Sequence, residues 1–117
     1  MHRFLILSAG LLGAGGVALL ASAAHAGGDN LGTAAGFMLA HAPALLAVGL
    51  AGRQSGGRIL APAALVVLAG VALFAGDLTL RDLAGERLFP MAAPTGGTLT
   101  ILGWLGIAAS ALFRPGR

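Results

Sequence analysis

The 117-residue chain has no cysteine and no lysine, and only 9% of its residues are charged. Without cysteine it can form no disulfide, no thiolate metal site and no thiol nucleophile. Without lysine it cannot form the usual phosphate-binding loop, which places a lysine after a glycine-rich turn. The shortage of charge excludes an ordinary soluble domain of this size, because such a domain needs a charged surface.

Apolar and small residues make up most of what is present. The sequence is 57% hydrophobic with 20 glycines, and its mean hydropathy is +0.92. Glycine and alanine let helix backbones approach closely in a membrane bundle. The seven basic residues are all arginines scattered between apolar runs, so nucleic-acid binding is not expected. These properties indicate an integral membrane protein.

Four apolar runs are each about twenty residues long, and a helix of that length rises about 30 Å, the thickness of a bilayer's hydrocarbon core. We therefore predict an all-α, integral membrane four-helix bundle with a single transmembrane domain. The predicted spans are residues 4–24, 33–52, 59–77 and 96–113, with an interfacial loop over 78–95. The first run also resembles a secretory signal ending at residues 24–26, so a three-span chain is the alternative.

The distribution of arginine predicts the orientation. Four spans place both termini and the 53–58 loop on one face of the membrane. That face carries five arginines and no acid: Arg3, Arg53, Arg58, Arg114 and Arg117. The other face carries two arginines and all four acids: Arg81, Arg87, Asp29, Asp77, Asp82 and Glu86. The positive-inside rule then places both termini in the cytoplasm.

The second run contains the candidate site, because His41 and Pro43 interrupt an uncharged stretch. Proline removes a backbone N–H and predicts a kink near His41. A histidine at membrane depth costs free energy unless a neighbour satisfies it. The predicted topology brings His25, His41 and Asp77 towards the outer side. A polar cluster there would suit a proton or ion relay, and its two histidines could instead bind a haem or a metal. In the plainer alternative, His41 bonds backbone of a neighbouring helix and Asp77 pairs with Arg81.

Small residues predict where helices meet. Glycines at three-residue spacing in the first run indicate a close-packing face, and a tryptophan inside the fourth run is expected to pack against glycine-rich neighbours and to need a partner for its indole N–H. Asp29 or Asn30 is expected to cap the second helix. The residues predicted to pack helices together are Gly10, Gly13, Gly16, Gly36, Gly96, Gly97 and Trp104.

Several short motifs resemble a known family. They are AHA at 24–26, HAPALL at 41–46, LFAGDL at 73–78, LAGER at 83–87, PTGG at 94–97 and GW at 103–104. In this order they resemble the small bacterial inner-membrane proteins typified by YgdD, a family of unknown function with mitochondrial relatives. The resemblance implies four helices, residence in the bacterial inner membrane and no assigned reaction. The chain departs from the family at Ala26, where glycine is usual, at Asp77, where serine is usual, and in lacking an aromatic–glutamine pair before the second histidine.

No set of catalytic residues is apparent, since the serines lack a motif that would place a base and an acid beside them. We therefore expect a protein that is not an enzyme, with no catalytic, cofactor-binding or metal-binding residues and no cofactor. The expected role is a scaffold or accessory subunit of a larger membrane complex, whose partners are the lipid bilayer and other membrane protein subunits. The alternatives are a proton, ion or small-ligand relay through the outer polar cluster and a haem-binding subunit.

Overall fold

A computed structural model describes residues 2–51 and 58–113, and these residues form four α-helices without a strand. The helices are α1 (His2–Ala26), α2 (Asp29–Ala51), α3 (Leu60–Ala84) and α4 (Ala92–Ser110). The all-α class predicted from the apolar runs is therefore confirmed. The loop between α3 and α4 is shorter than predicted, because α3 continues to Ala84 and α4 begins at Ala92.

Three of the helices, α1, α2 and α3, are long and apolar enough to cross a membrane, among the residues that the structure describes. The 19-residue α4 is not in this group. Its first half contains three threonines, two glycines and a proline. The chain thus has the helices of a membrane protein, as its composition predicts.

Each helix packs against the next one in the chain, and the described chain is flattened, with extents of 52 × 26 × 17 Å. Leu5, Leu45, Val67 and Val71 are buried in one cluster that joins α1, α2 and α3. A second cluster joins α2 to α3 nearer the carboxyl end of α3. The core therefore lies on α2 and α3, with α1 and α4 packed on either side.

Glycines end the helices at the turns. Gly27 and Gly28, between α1 and α2, have φ of 82° and 112°, and Gly85 ends α3 with φ of 71°. Glycine adopts this left-handed region at little cost because it has no Cβ. The Gly85 N–H bonds the carbonyl of Arg81 at 3.0 Å, which satisfies one carbonyl at the helix end.

Glycines also bring α3 and α4 into backbone contact. A Cβ at Gly96 would lie 2.5 Å from the Phe74 nitrogen and 2.7 Å from the Gly70 oxygen. A Cβ at Gly103 would lie 2.5 Å from Val67 Cγ2 and 2.7 Å from the Val67 nitrogen. These contacts lie at both Gly96 and Gly103, so α4 packs lengthwise against α3.

The predicted packing glycines divide into two groups. Gly16 and Gly96 lie at close helix contacts, and a Cβ at Gly13 would be 4.0 Å from Ala42 Cβ. At Gly10, Gly36 and Gly97 a Cβ would meet no atom of the described chain within 4 Å, so a packing role for these three glycines stays a prediction. Gly10 and Gly16 differ because each helical residue turns the chain by about 100°, so positions six apart point about 120° apart.

Candidate functional site

His41 lies in the middle of α2 with only 7% of its surface exposed, and both of its ring nitrogens have partners. Its Nδ1 lies 2.7 Å from the carbonyl oxygen of Phe37, one turn earlier in the same helix. Its Nε2 lies 3.1 Å from the indole Nε1 of Trp104 on α4. We refer to these two side chains as the His41–Trp104 pair.

The partners determine the tautomer of His41. The indole N–H is a donor only, so the His41 Nε2 accepts its hydrogen bond. The carbonyl oxygen of Phe37 is an acceptor only, so Nδ1 carries the proton and donates it. The arrangement therefore requires a neutral imidazole with its proton on Nδ1.

Aromatic rings surround this pair and connect three helices. The ring of Phe37 lies 4.5 Å from that of His41 and 4.4 Å from that of Phe74 on α3. The His41 and Trp104 rings are 5.8 Å apart and tilted by 52°. Tilted aromatic pairs at these distances are favourable, so α2, α3 and α4 meet at one aromatic cluster.

Asp77 is fully buried near the carboxyl end of α3, and each of its oxygens has a partner. Oδ2 accepts a hydrogen bond from Arg81 Nη2 at 2.8 Å, as the acid-first spacing predicts. Oδ1 accepts the backbone N–H of Leu88 at 2.8 Å. Asp77 therefore holds the loop after α3 against the helix.

Asp82 has a role that the sequence did not reveal. Its Oδ2 accepts the backbone N–H of Leu31 at 2.9 Å, and its Oδ1 accepts the side-chain amide of Asn30 at 2.9 Å. The carboxylate that satisfies the start of α2 thus comes from α3, whereas we predicted a cap from Asp29 or Asn30. Gly28 makes room for it, since a Cβ there would lie 2.6 Å from Asp82 Oδ2.

His25 lies at the exposed end of α1, where its Nδ1 is 2.9 Å from the carbonyl oxygen of Ala21 in the same helix. Among the described residues, no hydrogen bond joins any two of His25, His41 and Asp77. Counted from the Asn30–Asp82 contact, His41 is eleven residues along α2 and Asp77 is five along α3. At about 1.5 Å per residue the two differ in depth by about 9 Å. A shared role for the three stays a prediction.

The two hydrogen bonds of the His41 ring limit its ability to bind a cofactor. A haem iron could bind His41 only if the ring gave up its bond to Trp104 or to Phe37. Within residues 2–51 and 58–113, no three histidine or acidic side chains are placed to hold a metal ion. Around His41 the described geometry is an interhelical hydrogen bond within an aromatic cluster.

Two apolar grooves open on the surface of the described chain. One, of about 440 Å³, lies between α1 and α3 and is lined by Leu12, Val71, Leu83 and Leu88 among others. The other, of about 480 Å³, lies between α1 and α2, beside Gly10, Gly13 and Pro43. Both are surfaces that suit hydrocarbon and not a polar ligand.

Comparison with known proteins identifies a family but no activity. The profile of a family described as "Protein of unknown function (DUF423)" matches residues 9–97 of the chain. The matched range includes His25, His41, Asp77 and Asp82, and it ends before Trp104. No solved structure matches the chain.

Proposed function

Because the chain belongs to the DUF423 family, for which no function is assigned, we propose from the geometry that it is a small non-catalytic membrane subunit. It acts as a scaffold or accessory subunit of a larger membrane assembly. The observation that carries this proposal is a row of small residues on α2, at which the described chain leaves open space.

This row consists of Gly32, Gly36 and Ala40, which are four residues apart and so lie on one face of α2. A Cβ at Gly32 or at Gly36 would meet no atom of the described chain within 4 Å. Small residues at this spacing let a second helix come close enough for backbone contact in a membrane. The face is therefore suited to a helix of a partner subunit.

The polar side chains support a structural role. Ser110 donates to the carbonyl of Ile107 at 2.6 Å, and Thr100 donates to the carbonyl of Gly96 at 2.9 Å. In the part of the chain that the structure describes, no hydrogen bond pairs a serine with a histidine or a carboxylate. Nucleophilic catalysis needs such a pair to activate the hydroxyl.

We place the protein in the bacterial inner membrane, with both termini in the cytoplasm. We count α4 as a fourth crossing because it packs along α3, and four crossings return the chain to the starting side. The arginine count supports this orientation, although Arg53, Arg114 and Arg117 lie outside the described residues. A reporter active only in the cytoplasm should work at either terminus. An inactive reporter at the amino terminus would rule out this topology.

Purification in mild detergent tests the accessory role. We expect a stoichiometric membrane partner with the wild-type chain and its loss with Gly36→Leu, because leucine would hold the partner helix away. Gly10→Leu is the matched control, since a Cβ at Gly10 on α1 also meets no atom within 4 Å. A chain that purifies without any stoichiometric partner would refute the proposal, and so would equal loss of the partner in both variants.

A relay through His25, His41 and Asp77 is the competing function, and no hydrogen bond among the described residues favours it. A relay predicts that His41→Ala abolishes a pH-dependent flux in vesicles while the amount of folded protein stays constant. An accessory subunit predicts no flux of its own.

A further inference from the structure

The His41–Trp104 pair exists only while the imidazole is neutral, because a protonated ring has donors at both nitrogens. Two donors would then face each other, His41 Nε2–H and Trp104 Nε1–H. We propose that this pair is a proton-sensitive latch that holds α4 to α2 and opens when His41 takes up a proton. The proposal is independent of the accessory role, since it concerns helices of one chain.

The surroundings of His41 offer no charge that would keep a protonated ring in place. α4 carries no ionisable side chain. The other ionisable groups of α2 and α1 are near helix ends: Asp29 on α2 and His2, Arg3 and His25 on α1. On α3 the acids are engaged, Asp77 by Arg81 and Leu88, and Asp82 by the start of α2. An imidazolium at His41 would therefore lack a counter-ion within the described bundle.

The packing allows the latch to release α4 from α2 while α4 stays packed against α3. The backbone contacts of α4 at Gly96 and Gly103 are with α3, while its hydrogen bond to α2 is made by Trp104. Trp104 is 41% exposed, so its indole can turn away from His41 without breaking those contacts. When the latch opens, α4 would lose its hydrogen bond to α2, and the face of α2 that carries Phe37 would become more exposed.

The chain provides its own reporter, because Trp104 is its single tryptophan and it has no tyrosine. The full chain in detergent micelles is titrated from about pH 8 to about pH 5, the range in which histidine changes charge, while tryptophan emission is recorded. We expect the emission spectrum to change in one transition as the latch opens, because the indole N–H loses its acceptor and leaves the aromatic cluster. Far-ultraviolet circular dichroism should stay constant, because α4 moves without unfolding.

His41→Gln is the test variant, because its amide oxygen can accept the indole N–H but does not titrate. We expect its emission to stay constant across the titration. His25→Gln is the matched control and should keep the wild-type transition, since His25 bonds only its own helix. Constant wild-type emission would overturn the proposal, as would the same transition in His41→Gln.

A second measurement does not depend on the folding of a variant. In wild-type chain labelled with ¹⁵N-histidine, the His41 signals should show an unprotonated Nε2 and a protonated Nδ1 near neutral pH. They should then show two protonated nitrogens over the pH range in which the tryptophan emission changes. A neutral ring protonated on Nε2, or a change in emission without protonation of His41, would overturn the latch.

Discussion

Replacing Gly96 by alanine should push α3 and α4 apart. The new Cβ would lie 2.5 Å from the Phe74 nitrogen, 2.7 Å from the Gly70 oxygen and 3.0 Å from Leu73 Cβ. Non-bonded heavy atoms normally approach to about 3.5–4.0 Å. Two of the three opposing atoms belong to helix backbone and cannot rotate aside. The helices must therefore separate by about 1 Å at this point, which weakens the packing on both sides of it.

The cost follows from two opposing effects. Overpacking a well-packed contact destabilises a protein by about 1–3 kcal/mol. Alanine also favours the helix over glycine by up to about 1 kcal/mol, which offsets part of this loss. The net expectation is a loss of about 1–2 kcal/mol, or roughly a tenfold change in the unfolding equilibrium.

Gly97→Ala is the matched control, one residue away in the same helix, because a Cβ there would meet no atom within 4 Å. It should leave stability unchanged or raise it by up to about 1 kcal/mol. Unfolding is measured in mixed micelles with increasing sodium dodecyl sulfate and followed by helical circular dichroism. Equal midpoints for the two variants would contradict the close α3–α4 contact, and so would greater stability of Gly96→Ala.

Two further predictions concern the carboxylates of α3. Asp82→Ala removes the acceptor of the Leu31 N–H and should destabilise the chain by about 1–3 kcal/mol in the same unfolding assay. Asp29→Ala, at the exposed start of α2, should cost only about 0.3–1 kcal/mol. A larger loss of stability with Asp29→Ala than with Asp82→Ala would show that Asp29 is the cap. Asp77→Ala removes the acceptor of the Leu88 N–H, so trypsin should cleave the bond that precedes Leu88 faster than in the wild type. An unchanged cleavage rate would show that Asp77 does not hold the loop between α3 and α4.

The helices were predictable because their signals are local. Apolar runs long enough to cross a membrane predicted four helices, and the described residues form four. The Asp77–Arg81 ion pair lies within one helix, so its spacing was also sufficient. Such features depend on a few consecutive residues and on the known geometry of the α-helix.

The contacts between helices were not predictable, because they depend on how each helix is rotated. His41 and Trp104 were each expected to need a polar partner, but their pairing spans 63 residues and requires one particular face of α2 to meet one face of α4. Asp82 meets Leu31 across 51 residues in the same way. Glycine spacing likewise could not tell Gly96, which touches α3, from Gly97, which does not.

The length of α3 explains why its ionisable residues lie near one end, away from the depth of the neutral hydrogen bond made by His41. Its 25 residues rise about 37 Å, about 7 Å more than a hydrocarbon core of about 30 Å. Its ionisable residues, Asp77, Arg81 and Asp82, all lie in its last eight residues, where the helix can leave the hydrocarbon. At the depth of His41 the interhelical hydrogen bond joins two neutral groups, which need no counter-ion. A proton added to His41 would place a charge at a depth where the described helices carry none, and such a charge costs free energy unless a partner satisfies it.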